Sequence, residues 1–253
     1  MGYEVVFAGQ KNLQRCRNSG KEWDVVTDLP NLDDPQRRIL AATINGVRIL
    51  DLYVVNGSEV GSEKFDYKLD WMSKVTSWVE EQAKKHKKFV ILGDFNIAPT
   101  DRDVHNPKSW HERILCSTPE RNALQTIKDI GFVDSFRLFE QEDEVYSWWD
   151  YRSGGFNKNM GLRIDLVLSS LPMAEQCTAS YVDPEPRGWD RPSDHAPGCL
   201  GIHPYQNELD KQSFVGFRYA AKPQNLQFGY CGFLLKLHFS MYCRTVPKKQ
   251  RIS

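Results

Sequence analysis

A short apolar strand that ends in polar residues constrains this chain more than any other feature of its sequence. Residues 89–92 are followed directly by Gly93-Asp94-Phe95-Asn96, so carboxylate and amide side chains stand where the strand leaves its sheet. Sites of α/β proteins lie at such strand ends, because loops there are positioned by a rigid scaffold. The pattern therefore predicts an α/β fold with a polar site after this strand.

The neighbouring segments extend this pattern into alternating strands and helices. Residues 39–43 and 47–55 are rich in β-branched residues and flank Asn45-Gly46, a dipeptide that favours a tight hairpin turn. Residues 64–86 repeat apolar side chains at three- and four-residue steps and predict an amphipathic helix. A second helix is predicted to begin with Thr118 as its cap, and a further strand over residues 163–168. This order favours a mixed α/β layered fold over a helical bundle.

The 253 residues carry no net charge, with 33 Lys and Arg against 33 Asp and Glu. This balance argues against a strongly basic surface that coats nucleic acid, although local patches and a bound metal ion can still attract an anion. The sequence has no apolar run of membrane-spanning length and no secretory pattern, so we expect a cytoplasmic protein. The zero net charge is the sum of two segments of opposite charge. Residues 198–253 hold 8 basic and 2 acidic residues, a charge of +6, which leaves −6 on residues 1–197.

Four places along the chain offer side chains suited to metal and phosphate chemistry. They are Tyr53 at a predicted strand end, Asp94 with Asn96, Asp165, and Asp194 with His195. Taken singly, an Asp on a turn is most often an Asx cap. Asp165 differs because it interrupts the apolar alternation of a strand, where a carboxylate needs a partner or a metal ion to offset its desolvation.

Five motifs follow one another in a fixed order, and three of them contain Asp94 with Asn96, Asp165, and Asp194 with His195. They read LGDFNIAPTD at residues 92–101, GFVDSFR at 131–137, WWDYRS at 148–153, GLRID at 161–165 and PSDHAP at 192–197. Together they resemble the exodeoxyribonuclease III family, the bacterial AP endonuclease branch of the endonuclease/exonuclease/phosphatase superfamily. The resemblance covers residues 2–10 and 24–197, and five ordered motifs form a specific signal.

The resemblance implies a fold and an activity. The fold is a four-layered α/β sandwich of the DNase I-like type, with two packed sheets and helices outside, incomplete at its N-terminus. The activity is a Mg²⁺-dependent (or Mn²⁺-dependent) DNA phosphodiesterase that incises abasic sites and removes nucleotides 3′ to 5′ in base excision repair. The implied partner is double-stranded DNA with abasic sites or 3′ ends, bound by a monomer with no membrane contact.

By motif position, the resemblance also implies a role for each site residue in phosphodiester hydrolysis. Asp94 would orient or deprotonate the attacking water, and Asn96 would hold the phosphate or the water. His195 would donate a hydrogen bond to a non-bridging oxygen, with Asp165 fixing its ring. Tyr53 matches a tyrosine near the scissile phosphate. The implied metal ligands are Asp94, Asn96, Asp194 and His195.

An aromatic and basic segment is the predicted contact with DNA. The resemblance implies a wall that accepts an abasic sugar extruded from the duplex, formed by Trp148, Trp149, Phe156 and Arg152. Core packing is an equally reasonable role for Trp149 or Phe156, because large rings are buried on average. Arg163 would support the phosphate or pair with a neighbouring carboxylate.

The chain departs from the family pattern near both ends. It starts downstream of the strands that carry the family's N-terminal Asn and its metal-binding Glu, so we expect weaker metal binding. One codon set for residues 12–21, read one base later, encodes TYNGVAILA, which resembles the strand expected there. The same test after Pro197 gives VVWE. We therefore hypothesise frameshifts that leave residues 1–197 as the domain and 198–253 as an aberrant basic tail, a genuine lineage-specific tail being the alternative.

Two functional hypotheses follow from the sequence. The first is a DNA repair phosphodiesterase of the exodeoxyribonuclease III type. The second is an inactive truncated relic that at most binds DNA, because the missing strands carry a principal metal ligand of the family. The balance between endonuclease and exonuclease activity is left open by these motifs.

Overall fold

The computed structural model describes residues 24–30, 32, 34, 36 and 38–202, together with the backbones of three further strands. Residues 12–21 lie outside the described residues. The frameshift hypothesis for that segment therefore stays a prediction, and the nucleotide sequence would test it.

Strands and helices alternate in the described part of the chain. The strands are β1 (Val6–Ala8), β2 (Ile39–Ile44), β3 (Val47–Tyr53), β4 (Phe89–Asp94), β5 (Phe132–Asp134), β6 (Trp148–Trp149), β7 (Gly161–Leu162), β8 (Asp165–Ser170), β9 (Cys177–Val182), β10 (Gly198–Ile202), β11 (Val215–Ala220) and β12 (Phe233–His238). The α-helices are α1 (Glu63–Lys85), α2 (Pro107–Trp110), α3 (Thr118–Asp129) and α4 (Leu171–Ala174). One sheet has the order β2-β3-β4-β8-β5, a second has the order β1-β12-β11-β10-β9, and β6 pairs with β7. The predicted mixed α/β class is confirmed.

The β2–β3 hairpin forms around the predicted turn. Asn45 and Gly46 have φ values of +51° and +78°, the left-handed conformation that a two-residue hairpin turn requires at both positions. β4 then joins β3 in parallel, and β8 joins β4 in the antiparallel direction. The strand that carries the predicted polar site therefore lies at the centre of its sheet.

Helices α1 and α3 cover one face of this sheet. The Ser62 side chain caps α1 by accepting a hydrogen bond from the Phe65 N–H. The α3 cap is Ser117 rather than the predicted Thr118, because Glu120 accepts hydrogen bonds from both the N–H and the hydroxyl of Ser117. Apolar side chains of both helices join the sheet in one buried cluster, which includes Trp71, Val75, Val79, Leu124 and Ile127.

The opposite face of the same sheet packs against the second sheet. Ile49, Leu92 and Val167 lie in one buried cluster with Leu200 and Ile202 of β10. The described layers are thus helix, sheet and sheet, and the polar site lies at one end of the interface between the two sheets.

Strand β10 directly follows the predicted domain boundary at Pro197. It pairs with β9 and β11, and its apolar side chains are buried. The folded unit therefore continues at least to Ile202, because those residues complete the core between the sheets. An out-of-frame origin of residues 198–253 stays a prediction. Among the described residues, no helix combines the length and the apolar character needed to cross a bilayer.

Candidate active site

Three polar side chains stand at adjacent positions of three neighbouring strands. Tyr53 ends β3 and pairs with Asp94 at the end of β4, and Asp94 pairs in turn with Asp165 at the start of β8. Residues paired in this way point to the same face of a sheet, which here is the face toward the second sheet. The Arg38 guanidinium lies 4.8 Å from the centre of the Tyr53 ring. The register thus joins three of the four predicted places.

The chain turns sharply around Asp94 because two residues adopt positive φ. Gly93 has φ +133°, and a Cβ there would lie 2.0 Å from the Leu52 carbonyl oxygen, so a side chain is excluded. Asn96 has φ +48°, and its N–H donates to Asp94 Oδ1 over 2.8 Å. Its Nδ2 donates to Asp94 Oδ2 over 3.2 Å. Asp94 therefore forms the Asx cap and still offers Oδ2 to the site.

His195 completes the cluster. Its Nδ1 lies 2.8 Å from Asp165 Oδ2, and its Nε2 lies 3.9 Å from Asp94 Oδ2. A backbone bridge to Trp148 anchors His195, and the neighbouring Ser147 Oγ accepts the N–H of Asp165 over 2.9 Å. Residues 147 and 148 therefore hold both members of the His–Asp pair in place.

The charges of the cluster follow from burial and from mutual contact. Burial opposes a charge on His195, but Asp165, through its charge and hydrogen bond, and then Asp94 outweigh it and raise its pKa to about 9. Burial raises the pKa of Asp94 to about 7, with Asp165 acting in the same direction, while His195 and the Asn96 N–H oppose the rise. At neutral pH the imidazole is therefore protonated and Asp94 can accept a proton.

The cluster has the chemistry of a cation site. Among the described residues, Asp94, Asp165 and His195 form a group whose ligand atoms all lie within 4.8 Å of one another. The buried Oδ1 of Asp165 has no hydrogen-bond partner there, and a buried carboxylate oxygen in that condition is stabilised by a cation. Carboxylate oxygens are the ligands that hard divalent cations prefer. The residues present therefore fit a divalent cation.

Two of the predicted metal ligands, Asp194 and Asn96, form hydrogen bonds with residues outside the cluster. Asp194 Oδ2 accepts a hydrogen bond from Trp148 Nε1 over 3.1 Å, and Asp194 does not belong to the close group of ligand atoms. Asn96 Oδ1 accepts from Asn56 Nδ2 over 3.1 Å, and its Nδ2 donates to the Val54 carbonyl over 2.9 Å. Asn96 and Asp194 thus help to hold the residues around the cluster, and their predicted metal ligation stays a prediction.

Arg163 lies in the interior and pairs with two carboxylates. Its Nε lies 2.6 Å from Asp103 Oδ1, its Nη2 lies 2.6 Å from Asp134 Oδ2, and the side chain is 1% exposed. Burial opposes the charge, but Asp134 and Asp103 outweigh it and raise the pKa of the guanidinium. This placement favours the carboxylate pairing considered for Arg163 over a phosphate contact, because both carboxylates already occupy its donors.

The predicted aromatic wall divides into buried and accessible parts. Trp149 is buried and meets the half-buried Phe156 edge to face at 5.1 Å, as the packing alternative expected. Trp148 is half-buried, and Arg152 is exposed and pairs with Asp150. Trp148, Phe156 and Arg152 therefore remain the members of the wall that can be reached from outside.

Several residues that support the site were missed by the sequence reasoning. Lys68 of α1 donates to the Asn96 carbonyl over 2.8 Å and pairs with Glu120. A signal for Lys68 existed, since it lies on the apolar stripe of α1, three residues after Phe65 and four before Met72. Asn56 gave no signal, because its partner is forty residues away in the sequence.

Comparisons with known proteins agree with this geometry. The sequence pattern of the Endonuclease/Exonuclease/phosphatase family matches residues 19–195. Exodeoxyribonuclease III of Haemophilus influenzae is 37% identical and covers 78% of this chain and 79% of its own length. An exodeoxyribonuclease of Bacillus subtilis is 33% identical over 79% of this chain and 73% of the relative.

Solved structures give the same assignment. A 3′ phosphatase from Neisseria bound to a product DNA hairpin has a TM-score of 0.74 and 42% identity over 80% of each chain. An AP endonuclease from Archaeoglobus fulgidus has a TM-score of 0.68 and 33% identity over 78% of each chain. The predicted resemblance and the DNase I-like fold are confirmed. The chain belongs to the endonuclease/exonuclease/phosphatase family and is a hydrolase of its exodeoxyribonuclease III and AP endonuclease branch.

Proposed function

We propose that this DNA repair nuclease is a magnesium-dependent phosphodiesterase that incises double-stranded DNA at abasic sites and removes nucleotides from 3′ ends. The observation that carries the proposal is the buried cluster of Asp94, Asp165 and His195 at the strand ends. It places a proton acceptor and a charged proton donor side by side, which phosphodiester hydrolysis requires.

Each residue of the cluster takes one part of the reaction. Asp94 Oδ2 orients the attacking water and accepts its proton, since its raised pKa lies near neutral pH. Protonated His195 donates from Nε2 to a non-bridging phosphate oxygen, where negative charge builds up. Asp165 holds the imidazole through Nδ1 and keeps it charged. Tyr53, at the adjacent strand end, contacts the same phosphate.

The metal dependence of the proposal rests on the two carboxylates. Asp94 and Asp165 would hold a Mg²⁺ or Mn²⁺ ion, with the bare Asp165 Oδ1 as one ligand atom. When bound, such an ion neutralises charge on the phosphate and the leaving oxygen. Trp148, Phe156 and Arg152 would contact the DNA around an extruded abasic sugar.

Incision of a duplex that contains one tetrahydrofuran abasic analogue tests the proposal. We expect nicking in Mg²⁺ that stops in EDTA and is lost in Asp94→Asn and His195→Ala. Asp70→Asn is the matched control, because Asp70 is an exposed helix residue that pairs with Lys74 at the surface. Absence of nicking by the unaltered protein at high concentration would contradict the proposal and favour the inactive relic that at most binds DNA.

A second candidate activity is the processing of blocked 3′ ends. It is favoured by two solved Neisseria structures, described as a 3′ phosphatase and a 3′-5′ exonuclease, which are 42% and 44% identical to this chain. A nicked duplex with a 3′ phosphate, assayed beside the abasic duplex, separates the two activities. Release of inorganic phosphate without incision at the abasic analogue would assign the chain to 3′-end processing.

A further inference from the structure

A fully buried ammonium group lies beneath the turn that carries Asn96. Lys68 projects from the inner face of α1 and is 0% exposed. Its Nζ donates to the Asn96 carbonyl over 2.8 Å and to the Asn56 carbonyl over 3.2 Å, and it pairs with the Glu120 carboxylate. An ammonium has three protons, so each of them has a partner.

The partners of Lys68 lie in the two turns that border the site. Asn56 follows β3 and Asn96 follows β4, and their side chains are joined by a hydrogen bond from Asn56 Nδ2 to Asn96 Oδ1 over 3.1 Å. Lys68 therefore holds both turns in place through hydrogen bonds to their carbonyl groups.

Glu120 fixes the ammonium from the other side. Its carboxylate also accepts the N–H groups of Leu115 and Ser117 and the Ser117 hydroxyl. The position of Lys68 is thus set by the first turn of α3, a helix whose Leu124 and Ile127 belong to the buried cluster under the sheet.

A purely stabilising role does not account for this pair. Burying two opposite charges costs several kcal/mol of desolvation for each ion, and apolar residues of similar volume are often as stable or more so. The ammonium instead supplies what an apolar side chain cannot, namely donors for the carbonyl groups of Asn56 and Asn96. Asn96 has φ +48°, a conformation that persists only where its surroundings impose it.

We propose that Lys68 is a positioning residue for the reaction, holding Asn96 in its left-handed conformation so that the Asn96 N–H and Nδ2 fix the two oxygens of Asp94. The inference rests on the proposed function for its kinetic test. Its structural test is independent of that function, because the Asn96 N–H reports the same contact.

The test uses the full chain with both charges removed, Lys68→Met/Glu120→Gln, so that no buried charge is left without a partner. The matched control is Val79→Ala, a buried apolar residue of the same helix that lies about 16 Å from Lys68 along the helix axis. Denaturant unfolding shows whether the two variants lose comparable stability.

We expect kcat for incision of the abasic duplex to fall about 100-fold in the double variant with KM within about twofold, because misplaced groups cost chemistry rather than binding. We also expect faster hydrogen exchange of the Asn96 amide, measured by NMR. Val79→Ala should leave kcat within about twofold and change Asn96 exchange no more than its overall stability predicts.

An unchanged kcat in the double variant, or a change confined to KM, would overturn the inference. If the unaltered protein does not act on DNA, the proposed function fails alone and hydrogen exchange decides. Asn96 exchange that stays as slow in the double variant as in the unaltered protein would then refute the positioning role.

Discussion

Two buried carboxylates on the same face of the same sheet have opposite surroundings. Asp94 ends β4 and is 4% exposed, with Asn96 as a donor to both oxygens and His195 beside it. Asp51 lies two residues before Tyr53 on β3 and is 1% exposed, and neither of its oxygens has a hydrogen-bond partner among the described residues. Both residues therefore lose hydration, but Asp94 gains partners in exchange.

The two carboxylates differ in pKa because their surroundings differ. Burial raises the pKa of Asp51 to about 8, and no charge among the described residues opposes the rise. The pKa of Asp94 rises less, to about 7, because His195 and the Asn96 N–H favour its charged form. At neutral pH Asp51 is neutral, whereas Asp94 titrates where a proton acceptor is useful. We therefore propose that the donors beside a carboxylate, rather than its position on a sheet face alone, make it suited to catalysis.

The largest expected effect is on catalysis, and it should distinguish the two residues completely. Asp94→Asn is expected to lower kcat for abasic-site incision by about 10³-fold, within the range for removing a general base. Asp51→Asn should leave kcat within about twofold, because Asp51 forms no hydrogen bond with Asp94, Asp165 or His195. Steady-state kinetics on the abasic duplex measure both. An equal loss of kcat in the two variants would contradict the proposed difference between Asp94 and Asp51.

The next effect is on stability and has its own pH dependence. The raised pKa of Asp51 means that the folded state keeps its proton between about pH 4 and 8, where the unfolded state loses it, so stability falls as pH rises across that range. Asp51→Asn should therefore be more stable than the unaltered protein at pH 8, by roughly 2–5 kcal/mol, and similar at pH 4. Urea unfolding at both values measures the difference. A pH-independent difference would show that Asp51 has a partner.

Activity should follow a bell-shaped pH profile set by the partnered cluster. Without a bound cation, Asp94 gains a proton as pH drops through about 7 and His195 loses one as pH rises through about 9. The Mg²⁺ ion proposed at Asp94 and Asp165 favours the charged carboxylate and the neutral imidazole, so we expect both limbs of the activity profile at or below these values. Asp165→Asn removes the main influence that raises the His195 pKa, so the alkaline limb should move by about 1 unit or more to lower pH. Asp51→Asn should leave both limbs in place. Single-turnover rates from pH 5 to 10 measure the limbs.

The smallest effect is expected at the exposed end of the predicted aromatic wall. Arg152 is exposed and pairs only with Asp150 among the contacts described, so Arg152→Ala should weaken DNA binding severalfold and lower the salt dependence of binding by about one phosphate contact. Titrations of the abasic duplex at several salt concentrations measure it. An unchanged salt slope would remove Arg152 from the DNA interface.

The sequence predicted the three side chains of the cluster better than the side chains that support them. Asp94, Asp165 and His195 stand in ordered motifs and do come together, because strand register joins two of them and the 192–197 loop brings the third. Asp194 and Arg163 stand in the same motifs, yet the structure pairs them with Trp148 and with two carboxylates. A motif records which residues occur together, whereas a side chain's partner depends on tertiary packing.

Asp51 and Lys68 are two polar residues whose burial is indicated by the apolar sequence around them. Asp51, in the run Ile49-Leu50-Asp51-Leu52, is a carboxylate within an apolar strand just as Asp165 is. Lys68 breaks an apolar helix stripe in the same way. In each case the local pattern reveals burial, but only the structure shows whether a partner is present.

The pairing of Tyr53, Asp94 and Asp165 has a consequence for the tolerance of this chain to insertions and deletions. Side chains alternate between the two faces of a strand, so removing one residue within β3, β4 or β8 would turn the polar group of that strand toward the helices. Such a deletion would disable the enzyme without altering any residue of the cluster. Insertions and deletions should therefore be tolerated in the loops but not within these three strands.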